Sequence, residues 1–155
     1  MAILIDVNTV SKVFNVSDAE HHKFKPVRDW VIDSKGKIIY GGKTYLKEIS
    51  LLKKYNNLLT QLKIARKVIV FNSALVDSKE KQIKDMLKAR GISKTDVRYN
   101  DSHIVAILAV TKCRLLCTAD KHSHSFIKDA SFYEKSTDRP KIYSDGKHSS
   151  LLLDC

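Results

Sequence analysis

Three short, nearly continuous apolar runs, Ala2–Ile5, Val68–Phe71 and Arg114–Cys117, constrain the fold more than any other feature of this chain. Runs of this length without polar alternation suit strands covered on both faces, as in the interior of a parallel sheet. Between them the period changes from two to helical. Tyr45, Ile49, Leu52, Tyr55, Leu59 and Leu62 line one stripe of a helix predicted over Thr44–Leu62. Ser78–Arg90 is amphipathic through Ile83, Met86 and Leu87 and is stopped by Gly91. Asp101–Thr111 is a strongly apolar helix. Strands alternating with helices predict an α/β fold, a three-layer domain whose central, mainly parallel sheet is flanked by helices.

The remaining segments are read on the same basis. Asn8–Val16 is expected to be helical, and Asp18–Pro26 has no clear period. Trp30–Ile32 and Ile38–Tyr40 read as a hairpin around Asp33–Lys37, with a break at Gly41-Gly42. Ile127–Tyr133 reads as a short helix, Lys141–Tyr143 as a last strand, and Leu151–Leu153 as a tail packed back on the body. At 155 residues, with no repeat or linker, one domain spanning 1–155 is the economical organisation.

Several classes are disfavoured. The longest apolar run, Ile104–Val110, has seven residues, against the roughly 20 that a membrane span needs. Met1–Asp6 has no basic flank and reaches an acid at once, so no secretory signal and no membrane partner are expected. Three cysteines, Cys113, Cys117 and Cys155, form no CxxC and suit a reducing, cytoplasmic setting, with Cys113 and Cys117 as buried small apolar residues rather than metal ligands. The net charge is +11, and it is concentrated: residues 21–67 hold twelve bases and three acids. Such a region suits a polyanion, nucleic acid first.

In a parallel sheet, ligand sites form beyond the carboxyl ends of the strands. Asp6 closes the first apolar run, Asp120 follows the third, and Asp101 opens the apolar helix. Glu48, the only acid of the basic Thr44–Leu62 segment, shares the inward edge of Tyr45 and Leu52. Singly, each has a plain structural role: Asp101 as a helix N-cap, Asp6 and Asp120 as turn acids, Glu48 as a surface residue. Together they would repel one another unless a cation neutralised them, and hard divalent ions suit an all-oxygen site.

The ordered set resembles the PIN-domain nucleases. Leu4-Ile5-Asp6-Val7-Asn8 looks like their first motif, an apolar strand, an Asp, and a small polar residue two positions on. Glu48 matches the helical acid, Asn100-Asp101-Ser102-His103-Ile104 resembles the third motif, and Cys117-Thr118-Ala119-Asp120 the fourth. The resemblance covers residues 2 to about 143. A phosphatase of the haloacid dehalogenase type also begins with an Asp after its first strand but needs a second at position 8, where this chain has Asn.

The resemblance implies a metal-dependent endoribonuclease. Asp6, Asp101, Asp120 and Glu48 would form the catalytic, Mg²⁺- or Mn²⁺-holding set, with Asn8 and Thr118 orienting the carboxylates. Lys43, Lys47, Lys53 and Lys54 are candidates for the flanking RNA backbone; His103, His122 and His124 carry no assigned role. RNA is the implied partner, a cognate antitoxin and a homodimer are further ones, and the role is that of a toxin or of a processing or defence nuclease. The alternative is a PIN-like module that binds RNA or protein without cutting.

Overall fold

The structure, a computed structural model, describes residues 1–153; Cys155 lies outside them. In chain order it runs β1 (Ala2–Ile5), a 3-10 turn (Val7–Thr9), α1 (Val10–Phe14), α2 (His21–Asp33), β2 (Lys37–Gly41), α3 (Lys43–Ser50), a second 3-10 turn (Lys53–Tyr55), α4 (Asn56–Ile64), β3 (Val68–Phe71), α5 (Ser73–Ala89), α6 (Val97–Thr111), β4 (Leu115–Cys117), α7 (His124–Ile127) and β5 (Lys141–Tyr143), and it closes with a 3-10 segment (Gly146–Leu152).

The five strands form one sheet in the order β3-β2-β1-β4-β5, and all pairings are parallel. Ile3 sits opposite Ile38 and Leu4 opposite Leu116, so the first strand is central and buried on both faces. The course runs outward from β1 to β2 to β3 and then jumps to the other side of β1. Right-handed crossovers therefore place α1, α2 and α4 on one face and α5, α6 and α7 on the other. Packing of α1 on α2 and of α5 on α6 agrees with that division. α3 touches α5, α6 and the turn after β1. No helix of the described residues is long and apolar enough to cross a membrane.

The predicted α/β architecture is present, and several local expectations are corrected. Residues 21–33 are helix, not the first arm of a hairpin. Phe24, Val27, Trp30 and Val31 are all buried at helical spacing, and this tertiary pattern overrides the β-branched look of Trp-Val-Ile. Gly36 belongs to the helix exit: its N–H bonds to the Trp30 carbonyl, and the Trp30 ring occupies the space that a Cβ would need. The helix expected over Thr44–Leu62 is broken after Ser50 by the turn at Lys53–Tyr55, although five of its six stripe residues are buried and Leu52 is half-buried.

β3 is the sheet edge rather than a fully buried strand; Ile69 and Val70 are 39% and 51% exposed. α5 starts at Ser73 because the Asn72 side chain accepts from the N–H groups of Ala74 and Leu75. Ile127–Tyr133 resolves into the end of α7 and a 3-10 turn at Ala130–Phe132. Of the tail, Leu152 is buried and Leu153 is exposed.

Candidate functional site

The reversal in strand order makes a crevice beyond the carboxyl ends of β1 and β4, where ligands of such sheets collect. Asp6 leaves β1 here. Its N–H bonds to the Cys117 carbonyl at 2.9 Å, which extends the β1–β4 ladder by one residue. Its carboxylate accepts from the Asn8 N–H at 3.4 Å, capping the turn after β1, and from Thr118 Oγ1 at 3.0 Å. Thr118 is fully buried, and the same hydroxyl accepts the N–H of Asp120 at 3.1 Å. One threonine thus ties together two acids that arrive from different strands. Thr9 adds a second tie, accepting the Ala119 N–H at 3.0 Å.

Asp120 is exposed and caps the 3-10 turn Lys121–Ser123 through the His122 N–H. Asp101 is not the cap of its helix. α6 begins four residues earlier, where Asp96 accepts the Arg98 N–H, so Asp101 lies in the second turn. The capping role that would have explained Asp101 is taken by another residue. Asp101 and Asp120 line a cleft of about 290 Å³ together with Arg98, His122, Ser123 and Phe126.

Glu48 reaches the region from α3. That helix is anchored by Tyr45, fully packed, whose hydroxyl donates to the Ile5 carbonyl at 2.6 Å, one residue before Asp6. The Tyr45 ring stacks on Tyr40 at 5.0 Å. Oε2 of Glu48 lies 3.1 Å from Nε2 of His103, a close approach without the alignment of a hydrogen bond. His103 is buried, and neither of its ring nitrogens has a hydrogen-bond partner.

The electrostatics record the gathering of the acids. Burial raises the Asp6 carboxyl above its ordinary range; the Thr118 hydroxyl, the Asn8 N–H and the charge of His103 pull it back, and Asp120 pushes it up again. Asp101 is raised to about 6, first by burial and then by the negative charges of Asp6 and Asp120, with His103 opposing and Glu48 adding. Asp101 thus feels each of the other three acids named from the sequence, and Asp6 feels Asp120.

Among the other candidates, Thr118 bonds to Asp6 by its side chain, whereas Asn8 meets Asp6 through its backbone. Lys43, Lys47, Lys53 and Lys54 are exposed on α3 and the turn after it. Cys113 and Cys117 are buried, as expected. Thr9 and Tyr45 support the site although nothing in the sequence marks them for it, and His103, a candidate without an assigned role, joins them. A Thr just before an apolar helical residue, or a Tyr in an apolar stripe, is too common to mark a site. The sequence places His103 in the third motif but gives no sign of its approach to Glu48.

Carboxylates that raise one another's proton affinity suit a hard cation by both charge and donor chemistry. Among the described residues, no three His, Cys, Asp or Glu side chains are already gathered as an ion cage. No family model matches the chain, and no curated protein or solved structure matches it.

Proposed function

We propose that this protein is a Mg²⁺- or Mn²⁺-dependent endoribonuclease of the PIN type, with Asp6, Asp101 and Asp120 holding the ion and Glu48 completing the set. The observation that supports this reading is the meeting of Asp6, Asp101 and Asp120, far apart in sequence, at the reversal point of a parallel sheet, where Thr118 bonds both Asp6 and the Asp120 N–H and Asp101 shares a cleft with Asp120. A bound divalent ion would neutralise charge on the phosphate oxygens and favour deprotonation of the attacking water.

The chain's own groups do the rest. Thr118 fixes the carboxylate of Asp6, and Tyr45 fixes α3 so that Glu48 stays at the crevice. The cleft beside Asp101 and Asp120 accepts the phosphodiester, with Arg98 and His122 on its walls. Water adds to phosphorus, the 3′-oxygen leaves and takes a proton, and the products are a 5′-phosphate and a 3′-hydroxyl. A cognate antitoxin, a homodimer and a toxin role follow from the resemblance alone.

The test is cleavage of total RNA with Mn²⁺ by wild type, Asp6→Asn and Asp101→Asn, with melting curves alongside. Loss of cutting in both folded variants supports the reading; full activity in either ends it. The binding-only alternative draws on the Glu48–His103 approach, which engages one acid inside the chain. It is favoured if wild type neither cuts RNA nor gains thermal stability from Mn²⁺.

A further inference from the structure

A second cleft lies on the α5–α6 side of the domain. Its volume is about 430 Å³, and its walls are Lys84, Asp85 and Lys88 of α5, Lys94 of the connection, and Tyr99 and Asn100 of α6. Lys84 and Lys88 are one helical turn apart and so share a face of α5. Lys84 is paired with Glu80 at 3.0 Å. Lys88 and Lys94 are exposed and have no ion pair among the described residues, so two of the three cations at the cleft are uncommitted. Tyr99 is held in place because its hydroxyl donates to the Ile92 carbonyl at 3.0 Å. That bond fixes the ring at the cleft while leaving no hydroxyl to be satisfied there.

Uncommitted cations around a fixed aromatic ring are the parts of a single-strand nucleic-acid surface, where phosphates meet the charges and an unpaired base lies on the ring. The position fits as well. Asn100 lines this cleft and Asp101 lines the one beside Asp120, so two consecutive residues of α6 face the two clefts. A chain lying across the first half of α6 would pass from the lysines directly to the carboxylates. The simpler role for Lys88, support of the carboxyl end of α5, accounts for neither Lys94 nor Tyr99.

We propose that this cleft binds single-stranded nucleic acid, its phosphates on Lys88 and Lys94 and a base on Tyr99, next to the carboxylate crevice. The direction of the strand toward Asp101 rests on the nuclease reading; the binding itself does not.

Binding is measured in EDTA, so that no cutting intervenes, by fluorescence anisotropy of labelled single-stranded RNA, single-stranded DNA of the same sequence, and the corresponding duplex. Wild type is expected to prefer the single strands over the duplex. Lys88→Glu with Lys94→Glu, both exposed, should weaken single-strand binding by about tenfold and make its salt dependence shallower by about 1.4 in the log–log slope. Tyr99→Leu should remove the preference for single strands, and Tyr99→Phe should keep it. Stronger binding of RNA than of DNA would identify the 2′-hydroxyl as part of what is read.

The proposal is overturned if the double lysine variant binds as wild type does, if Lys47→Glu with Lys53→Glu abolishes binding instead, if Tyr99→Leu keeps the preference, or if wild type binds none of the probes. Cleavage with Mn²⁺ is scored separately. A protein that binds through this cleft without cutting retains the site and loses the nuclease reading; one that cuts without needing Lys88, Lys94 and Tyr99 does the reverse.

Discussion

Nε2 of His103 stands 3.1 Å from Oε2 of Glu48, yet one residue is buried in α6 and the other belongs to the half-exposed face of α3. A buried imidazole without a hydrogen-bond partner is a cost to the fold, so its presence beside an acid calls for an electrostatic reason. His103 also opposes the charge that Asp6, Asp120 and Glu48 press on Asp101. It is the chain's internal counterweight to its own carboxylates.

His103→Leu should therefore enlarge the rise in melting temperature produced by Mn²⁺, because an added cation then has more uncompensated charge to neutralise. His103→Gln, which retains a polar side chain, should fall between the variant and wild type. Thermal melts with and without Mn²⁺ check this; an unchanged metal response in His103→Leu would show that the histidine only packs.

The metal-free protein should lose stability as pH rises through the titration of Asp101. Its carboxyl is raised to about 6 in the folded state, against an ordinary 3.8. The native state thus binds more protons than the unfolded chain between those values, and stability falls as pH climbs from about 4 to 6. With solvent screening allowed for, this one group contributes a loss of about 1–2 kcal/mol. Urea melts in EDTA at pH 4.5 and pH 7 should show that drop in wild type and a smaller one in Asp101→Asn.

Thr118→Val should cost about 1–3 kcal/mol, since it keeps the volume but leaves the half-buried Asp6 carboxylate and the Asp120 N–H short of a partner. The same change should raise the Asp6 carboxyl further and weaken Mn²⁺ binding in calorimetry. Thr118→Ser, which restores the hydroxyl, should recover most of both.

Tyr45→Phe should remove the hydroxyl bond to Ile5 and lower stability by about 1 kcal/mol. Because that bond ties α3 to the end of β1, cleavage should fall more than stability, with the loss in kcat rather than in KM. An unchanged kcat would detach α3 from the chemistry.

The parts of this molecule that were legible in its sequence share one property: they are local. β1 and β4 are apolar without interruption, Asp6 follows the first directly and Asp120 comes three residues after the second, so both strands and both acids can be named from nearby residues. β3 has the same composition but lies at the edge, and nothing in Val68–Phe71 itself says that no strand follows outside it. α2 was hidden because Trp30, Val31 and Ile32 favour strands singly, while the helix is fixed by burial of Phe24, Val27, Trp30 and Val31 and by packing on α1 and the closing 3-10 segment. The break after Ser50 left the apolar stripe nearly intact, so the pattern held where the helix did not. The pairing of His103 with Glu48 needs the sheet order before it can be seen.

That sheet order also dictates when the crevice can come into being. β1 is the first strand of the chain, but its second neighbour is β4, and the hydroxyl that steadies Asp6 arrives with residue 118. A polypeptide cut short anywhere in α5 or α6 would keep β1, β2 and β3 side by side while leaving the central strand open along one margin and its terminal carboxylate untethered. Breakage in the connection between those helices would thus part Asp6 and Glu48, on one fragment, from Asp101 and Asp120, on the other.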